Sequence, residues 1–248
     1  MFDVLITLAE KDFLKLRFVT ESIYKNIYGV DHIYCVSNKK VPKEMVVSDV
    51  TYFLDDDVVD FNFDRFTDVI KRRKGWYVQQ YIKLFQDITA DEYLVVDSDV
   101  YFNRKVDIIK NHKPTFLFGT DQNHPPYFHF MKDLFDLERV YPFSFINEVM
   151  FFKWDIIKHM LDSLGINKYG FFELSVNELN KSNNASGFSE YELYGNYTTK
   201  YFPDAYNYTY VKTVAKARKS IWSVEEMRKY IDTFKDKDID IIKMHTWI

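Results

Sequence analysis

Two aspartates one residue apart, Asp97 and Asp99, lie in the stretch VVDSDVYF between an apolar run and an aromatic pair. Residues i and i+2 of a strand point to the same side, so two buried carboxylates at these positions would repel each other. Two carboxylates at a strand end can instead hold Mg²⁺ or Mn²⁺ and leave positions open for the oxygens of a diphosphate. We therefore expect the strand to end here, with Asp97 and Asp99 as metal ligands. The alternative is an aspartate that caps the next turn.

The elements before this stretch alternate between strands and helices. Apolar runs at 3–9, 32–37, 50–54 and 93–96 predict strands, and helical spacing of apolar residues predicts helices over 10–28 and 71–87. Alternation of this kind is typical of an α/β fold with a mainly parallel sheet and helices on both faces. In such sheets, ligands bind beyond the carboxyl ends of the strands. The paired aspartates are expected at that edge, and so is the acidic segment 55–64, which we predict to be an exposed loop.

The second half contains fewer clear elements. Strands are predicted at 114–120, 148–152 and 238–248, and a helix is predicted at 154–164. A further helix should begin after Ser189 as its N-cap, and Ser223 with Glu226 has the spacing of a capping box. No repeat or Pro/Gly-rich linker divides the chain, which predicts one domain over residues 1–248.

Composition and charge restrict the class of ligand and the compartment. The 248 residues carry a formal net charge of −4, and this acidic balance gives no reason to expect nucleic acid or a membrane surface as partner. The lone Cys35 cannot form an internal disulfide, which favours a reducing, cytoplasmic compartment. The N-terminal residues lack the pattern of a signal peptide, and no run of about 18 apolar residues predicts a transmembrane segment.

A helix with ligand-binding side chains precedes the aspartates, in KRRKGWYVQQYIKLF at residues 71–85. Gln79 or Gln80 can hydrogen-bond a ribose, base or sugar hydroxyl, and Lys83 can reach a phosphate. Trp76 shares a helical face with Gln80 and can contribute an aromatic surface. The alternative is an amphipathic helix with solvated Gln and Lys side chains and Trp76 in the core.

Three segments together carry a resemblance to a known family: GWYVQQYIKL, YLVVDSDVYF and FSEYELYGNY. They resemble GT-A fold glycosyltransferases, especially small bacterial and large-DNA-virus enzymes of nucleotide-sugar metabolism with a glycogenin-like layout. The resemblance runs from the first strand to about residue 200. It implies a Rossmann-like sheet, with a nucleotide-sugar-binding half at 1–103 that ends in the Asp-x-Asp motif and an acceptor-side half at 104–248.

The resemblance also implies roles for particular residues. Asp97 and Asp99 would hold Mn²⁺ on the diphosphate of a nucleotide-sugar donor, with UDP as the expected nucleotide. The first strand's loop, residues Thr7, Leu8 and Ala9, would line the nucleotide, and Lys83 would reach donor oxygens. We also expect Ser98, between the two aspartates, to contact the donor. The acceptor would be a hydroxyl group of a glycan or glycoconjugate.

Sugar transfer from a nucleotide diphosphate builds negative charge on the leaving phosphate, which a divalent cation and a lysine stabilise. An inverting enzyme also needs a carboxylate to take the acceptor's proton. Glu190 is our first candidate and Glu192 the second, although Glu190 at the first helical turn can equally serve the helix dipole. His245 is a candidate third metal ligand or a structural histidine, and Asp55 can bind uracil or ribose or lie in a solvated loop.

Two other functions remain open from the sequence. An aspartate-nucleophile phosphatase of the HAD type also places Asp-x-Asp at a strand end, but it has Thr or Val two residues after the second aspartate, where this chain has Tyr101. A non-catalytic carbohydrate-binding protein with a transferase-like fold would keep the metal site and lack the base. Dependence of donor hydrolysis on Mn²⁺ distinguishes the transferase from both.

Overall fold

The computed structural model describes residues 1–119, 122–182, 184–218 and 220–246. The strands of these residues, in chain order, are β1 (Phe2–Leu8), β2 (Val30–Ser37), β3 (Val50–Leu54), β4 (Glu92–Val96), β5 (Val100–Phe102), β6 (Ile109–Lys110), β7 (Lys113–Phe118), β8 (Val149–Lys153), β9 (Asn207–Tyr210), β10 (Thr213–Arg218) and β11 (Ile241–Thr246). The α-helices are α1 (Leu16–Asn26), α2 (Asp55–Val58), α3 (Asp68–Lys71), α4 (Lys74–Phe85), α5 (Pro125–Phe135), α6 (Trp154–Asp162), α7 (Lys168–Ser182), α8 (Glu190–Tyr201) and α9 (Val224–Asp232).

The central sheet has five strands in the order β3-β2-β1-β4-β8. Its first four strands are parallel, and β8 runs antiparallel to β4. All seven side chains of β1 and four of the five of β4 are buried, as expected for parallel strands covered on both faces. The structure therefore confirms the predicted α/β architecture with a mainly parallel sheet and flanking helices.

The strand order reverses at β1. The chain moves outward from β1 to β2 and β3, and then returns to place β4 on the other side of β1. A crevice opens at such a reversal beyond the carboxyl ends of the strands, where open α/β sheets bind their ligands. Leu8 at the end of β1 and Val96 at the end of β4 lie at this edge, so the Asp-x-Asp motif that follows β4 is placed beside the crevice.

Other described strands form two smaller sheets. One has the order β10-β11-β5, and the other has the order β6-β7-β9. The turn after β4 leads directly into β5, which pairs antiparallel with β11, with Val100 opposite Lys243. This pairing brings the last described strand back to the aspartates, because His245 is only two residues beyond Lys243. No helix among the described residues has the length and apolarity that crossing a membrane requires.

Several predicted elements differ in detail. The predicted helix over 10–28 begins as a 3-10 helix at Glu10–Lys15 and becomes α-helical only from Leu16 to Asn26. The predicted helix over 71–87 is observed as α4, Lys74–Phe85, and its first residue, Lys71, instead ends the short helix α3. The prediction that the acidic segment 55–64 is an exposed loop was wrong, because it contains α2 and buries the apolar residues Val58, Val59, Phe61 and Phe63. The predicted strand at 238–248 is observed as Ile241–Thr246, and residues 247–248 lie outside the described residues.

Candidate active site and metal centre

The turn at the end of β4 fixes the positions of the two aspartates. Asp97 N–H donates to the carbonyl of Glu148 at 2.9 Å, and Val100 N–H donates to the carbonyl of Asp97 at 3.2 Å. The chain thus reverses between Asp97 and Val100 and continues as β5. Ser98, inside the turn, is buried and places its hydroxyl 3.4 Å from Oδ2 of Asp12. The strand end predicted at the aspartates is therefore observed.

Asp97 belongs to a buried cluster that we call the Lys83 cluster, formed by Lys83, Asp97, Glu190 and Tyr191. Lys83 Nζ lies 2.6 Å from Oδ1 of Asp97 and 2.8 Å from Oε1 of Glu190. The hydroxyl of Tyr191 donates to the same Oδ1 of Asp97 at 2.8 Å. One ammonium group therefore connects the strand-end aspartate to the first residue of α8, and residues 107 positions apart in the chain share one ion-pair network.

Local structure explains why Lys83 reaches this position. Lys83 lies in the last turn of α4, and its carbonyl accepts a hydrogen bond of 2.6 Å from the hydroxyl of Tyr93 on β4. This bond fixes the end of α4 to the strand that carries the aspartates. Gln80, one turn earlier, accepts the backbone N–H of Glu190 at 3.0 Å through Oε1. The helix α4 therefore orients both Lys83 and the start of α8.

Asp99 belongs to a second group, the Asp99 cluster, which consists of Asp99, Glu148 and His245. Each residue offers one ligand atom, and these atoms all lie within 4.8 Å of one another. Nε2 of His245 is 3.1 Å from Oε1 of Glu148, and Nζ of Lys243 is 3.6 Å from Oε2 of Glu148. Two carboxylates and an imidazole form a donor set that suits Mn²⁺, and the oxygen donors also suit Mg²⁺. The structure therefore brings together two of the three predicted metal ligands, Asp99 and His245.

Glu148 was not predicted from the sequence as a site residue. It directly precedes β8, and the antiparallel pairing of Val149 with Val96 brings it to the end of β4. Its backbone has φ of 63°, in the left-handed region that is unfavourable for a residue with a side chain. The only sequence signal was its position at the start of a predicted strand, which gave no information about the strand that would pair with it.

Burial and neighbouring charges shift the pKa values of the ionisable groups in both clusters. Burial by itself would lower the pKa of Lys83, but Asp97 and Glu190 raise this pKa above its usual value, so Lys83 stays protonated. Burial raises the pKa of Glu190, and Lys83 offsets part of that effect. In the Asp99 cluster, burial and then the neighbouring Glu148 raise the pKa of Asp99 to about 7.

The other members of the Asp99 cluster form an ion pair. Burial opposes ionisation of Glu148, but the hydrogen bond to His245 and the charge of Lys243 lower the pKa of Glu148 below its usual value. The hydrogen bond to Glu148 correspondingly raises the pKa of His245. His245 therefore holds its proton more strongly than a free histidine, and a metal ion would have to displace that proton.

The two candidate bases point to different surroundings. Ser189 caps α8 as predicted, accepting the backbone N–H of Glu192. Glu190 faces Lys83, whereas Glu192 accepts hydrogen bonds from Ser144 Oγ at 2.5 Å and from Asn196 Nδ2 at 3.1 Å. Both side chains are buried, and burial raises the pKa of each. Glu190 is thus the glutamate that the structure joins to the strand-end aspartate.

The remaining predicted residues lie around these clusters. Thr7 and Leu8 are buried at the end of β1, and Ala9 is half-buried. Asp55 begins α2 at the end of β3 and accepts the backbone N–H of Asp56. Trp76 is half-buried beneath the guanidinium of Arg73, and Gln79 is half-buried. Within the described part of the chain, no hydrogen bond or ion pair joins Asp55, Trp76 or Gln79 to either cluster.

Comparison with known proteins gives one family assignment. The sequence profile of DUF6492, described as a family of unknown function, matches residues 28–240. The chain belongs to the DUF6492 family. The matched region of this DUF6492 protein includes Lys83, Asp97, Asp99, Glu148 and Glu190. No curated protein matches the chain in sequence.

Solved structures with a similar fold include two of the galactosyltransferase LgtC. One is LgtC in complex with donor and acceptor sugar analogues, with 9% sequence identity and a TM-score of 0.48. The other is an active-site mutant of LgtC, with 9% identity and a TM-score of 0.47. Both similarities cover 98% of this DUF6492 chain and 86% of the LgtC chain.

Proposed function

We propose that this DUF6492 protein is a metal-dependent glycosyltransferase that moves a sugar from a nucleotide-diphosphate sugar, with UDP as the nucleotide, to a hydroxyl group of a glycan or glycoconjugate. One observation carries the proposal: carboxylates, a histidine and a buried lysine meet beside the point where the order of the parallel strands reverses. A crevice of this kind binds nucleotides in open α/β sheets. The proposal also agrees with the sequence resemblance to GT-A glycosyltransferases.

The donor would lie across the carboxyl ends of β1, β3 and β4. In this proposal, Thr7, Leu8 and Ala9 at the end of β1 would line the nucleotide. Asp55 at the end of β3 lies at the same sheet edge, where a carboxylate can accept hydrogen bonds from ribose hydroxyls or a uracil N–H. The diphosphate would then lie nearest the aspartates that follow β4.

Departure of the nucleotide diphosphate requires positive charge at the crevice. A divalent cation bound there would supply this charge as a Lewis acid and so stabilise the developing phosphate charge. Lys83 is protonated and fixed by Asp97 and Glu190, so its charge is preorganised and does not need to be reoriented during the reaction. The oxygen atoms of Asp97 and Asp99 at the end of β4 complete the polar side of the crevice.

Acceptor activation requires a carboxylate near the same crevice. We propose Glu190 for this role, because it is joined through Lys83 to Asp97, and because burial raises its pKa toward that of a useful base. Glu192 is held by Ser144 and Asn196 and is assigned a structural role in α8. In this assignment Glu190 takes the proton of the acceptor hydroxyl, and the reaction inverts the anomeric centre.

The experiment that tests the function is a donor-turnover assay with a panel of UDP-sugars, with and without Mn²⁺. We expect Mn²⁺-dependent release of UDP by the wild-type protein and a decrease of at least about 100-fold for Asp99→Asn. Asp236→Asn is the matched control, because Asp236 begins another Asp-x-Asp, in the exposed segment after α9. Glu190→Gln should lower the rate by about 10²–10⁴-fold with donor affinity retained, and Glu192→Gln should lower it less.

The same assay can reject the proposal. Turnover that persists in excess chelator would contradict the metal-dependent mechanism. Release of phosphate from simple phosphate esters in the presence of Mg²⁺, without release of UDP, would favour an aspartate-nucleophile phosphatase instead. Sugar binding without turnover of any donor would favour a non-catalytic carbohydrate-binding protein.

A further inference from the structure

We propose that Glu148 is a direct ligand of the divalent cation, together with Asp99 and His245, and that Asp97 is a positioning residue held in the Lys83 cluster rather than a ligand. The inference deepens the proposed function, on which it rests for the role of the cation. The metal site is thus not formed by the two carboxylates of the Asp-x-Asp motif, but by its second aspartate and two residues from distant parts of the chain.

The distances within the Asp99 cluster fit one small cation. In an octahedral site with metal–ligand distances of about 2.1 Å, neighbouring ligand atoms lie about 3 Å apart and opposite ones about 4.2 Å apart. The 3.1 Å between His245 and Glu148 matches the neighbouring spacing. The ligand atoms of all three residues lie within 4.8 Å of one another, so only small side-chain movements are needed for common coordination.

Asp97 is engaged elsewhere. It is not among the described residues whose ligand atoms meet Asp99 and His245. Its Oδ1 is occupied by Lys83 at 2.6 Å and by Tyr191 at 2.8 Å. A cation at Asp97 would lie close to the buried ammonium of Lys83, which is 2.6 Å from Oδ1. The ammonium of Lys243 is farther from Glu148, at 3.6 Å from Oε2, so the repulsion between positive charges is stronger at Asp97. Asp97 is therefore better suited to hold Lys83 near Glu190 than to bind the metal.

One backbone feature and one side-chain feature at residues 147 and 148 support a specific role for the Glu148 carboxylate. Glu148 adopts φ of 63°, which is unfavourable for glutamate, and its carbonyl accepts the N–H of Asp97 at 2.9 Å. Asn147, directly before it, is fully buried, yet neither Oδ1 nor Nδ2 has a partner among the described residues. Buried amides of this kind are rare unless a ligand or water completes their hydrogen bonds.

Mn²⁺ binding by the full chain tests the inference without any turnover. We would titrate Mn²⁺, alone and with UDP, and measure free Mn²⁺ by electron paramagnetic resonance. Glu148→Gln and Asp99→Asn should each weaken Mn²⁺ binding at least tenfold, whereas Asp97→Asn should change it less than threefold. The inference would be overturned if Asp97→Asn weakened Mn²⁺ binding and Glu148→Gln left it unchanged. It would also be overturned if the wild-type chain bound no Mn²⁺, either alone or with UDP.

A second measurement does not depend on a variant at Glu148. The pulsed resonance spectrum of bound Mn²⁺ should show the coupling of one imidazole nitrogen, and His245→Gln should abolish it. A wild-type spectrum without nitrogen coupling would overturn the ligand set. If the ligand set is confirmed and no UDP-sugar is turned over, the proposed function fails while the metal site stands, so the two failures can be distinguished.

Discussion

Replacement of Lys83 by methionine tests the buried ion-pair network most directly. Lys83→Met keeps an unbranched side chain of similar length and removes the charge. The Lys83 side chain is only 5% exposed, and its Nζ contacts Asp97 at 2.6 Å and Glu190 at 2.8 Å. The Glu190 side chain is 4% exposed, whereas that of Asp97 is 26% exposed. The substitution therefore leaves one fully buried and one partly solvated carboxylate without their cation.

The expected loss of stability follows from these exposures. Removal of one partner of a buried pair costs about 3–5 kcal/mol, because a buried charge is left uncompensated. Water around Asp97 reduces the free-energy cost of its unpaired charge, and Glu190 can become protonated. We therefore expect a loss of stability at the lower end of this range, about 3 kcal/mol at pH 7. For a chain of this length, that corresponds to a decrease in Tm of about 6–12 °C. The loss should be smaller at pH 5, where protonation of Glu190 requires less free energy.

Urea unfolding followed by circular dichroism measures this effect. Lys132→Met is the matched control, because Lys132 also contacts two carboxylates, Asp136 and Glu138, but on the exposed surface, so we expect little change in stability. The double variant Lys83→Met/Glu190→Gln should be less destabilised than the sum of the single changes, since the glutamate no longer needs compensation. A Lys83 effect no larger than that of Lys132, or strict additivity in the double variant, would refute the buried network.

Two further predictions concern the surrounding scaffold. Gly195→Ala should destabilise the protein by about 1–3 kcal/mol despite the better helix propensity of alanine, because the added Cβ would lie 2.2 Å from the ring of Phe145; a stability equal to wild type or higher would contradict this packing. The backbone N–H of Ser223 and the side chain of Arg218 lower the pKa of Glu226 to about 2 from the usual 4.5. The charge of Glu226 therefore stabilises the folded protein above pH 4.5, and this stabilisation is lost as pH falls toward 2. The Tm difference between wild type and Glu226→Gln should shrink over that interval, and a constant difference would argue against the charge effect.

Apolar runs and capping residues in the sequence correctly predicted the strands of the parallel sheet and the start of two helices. The strands β1, β2, β3 and β4 are short apolar runs, and the structure confirms them and their mainly parallel arrangement. The capping residues Ser189 and Ser223 also act as predicted. In contrast, β10 has the sequence TVAKAR with no buried residues, so its pattern gave no strand signal, and it forms through pairing with β11.

The site depends on contacts that sequence patterns do not encode. The position of the aspartates at a strand end was predictable, because an apolar run stops there. The ion pair of Lys83 with Glu190 joins residues 107 positions apart, and Glu148 reaches Asp99 only because β8 pairs with β4. The antiparallel pairing of β8 with the parallel sheet is determined by tertiary contacts and not by local sequence. Glu148 therefore could not be identified from its neighbours in the chain.

Calorimetric titration of the wild-type protein with UDP and with UDP-sugars, in the presence and absence of Mn²⁺, tests metal-dependent donor binding most directly. We expect that at least one UDP-sugar binds, that Mn²⁺ increases its affinity at least tenfold, and that Asp99→Asn removes this increase while Asp236→Asn retains it. Binding of UDP-sugars with the same affinity in Mn²⁺ and in chelator, or no binding of any of them, would show that the protein does not bind a nucleotide sugar through a divalent cation.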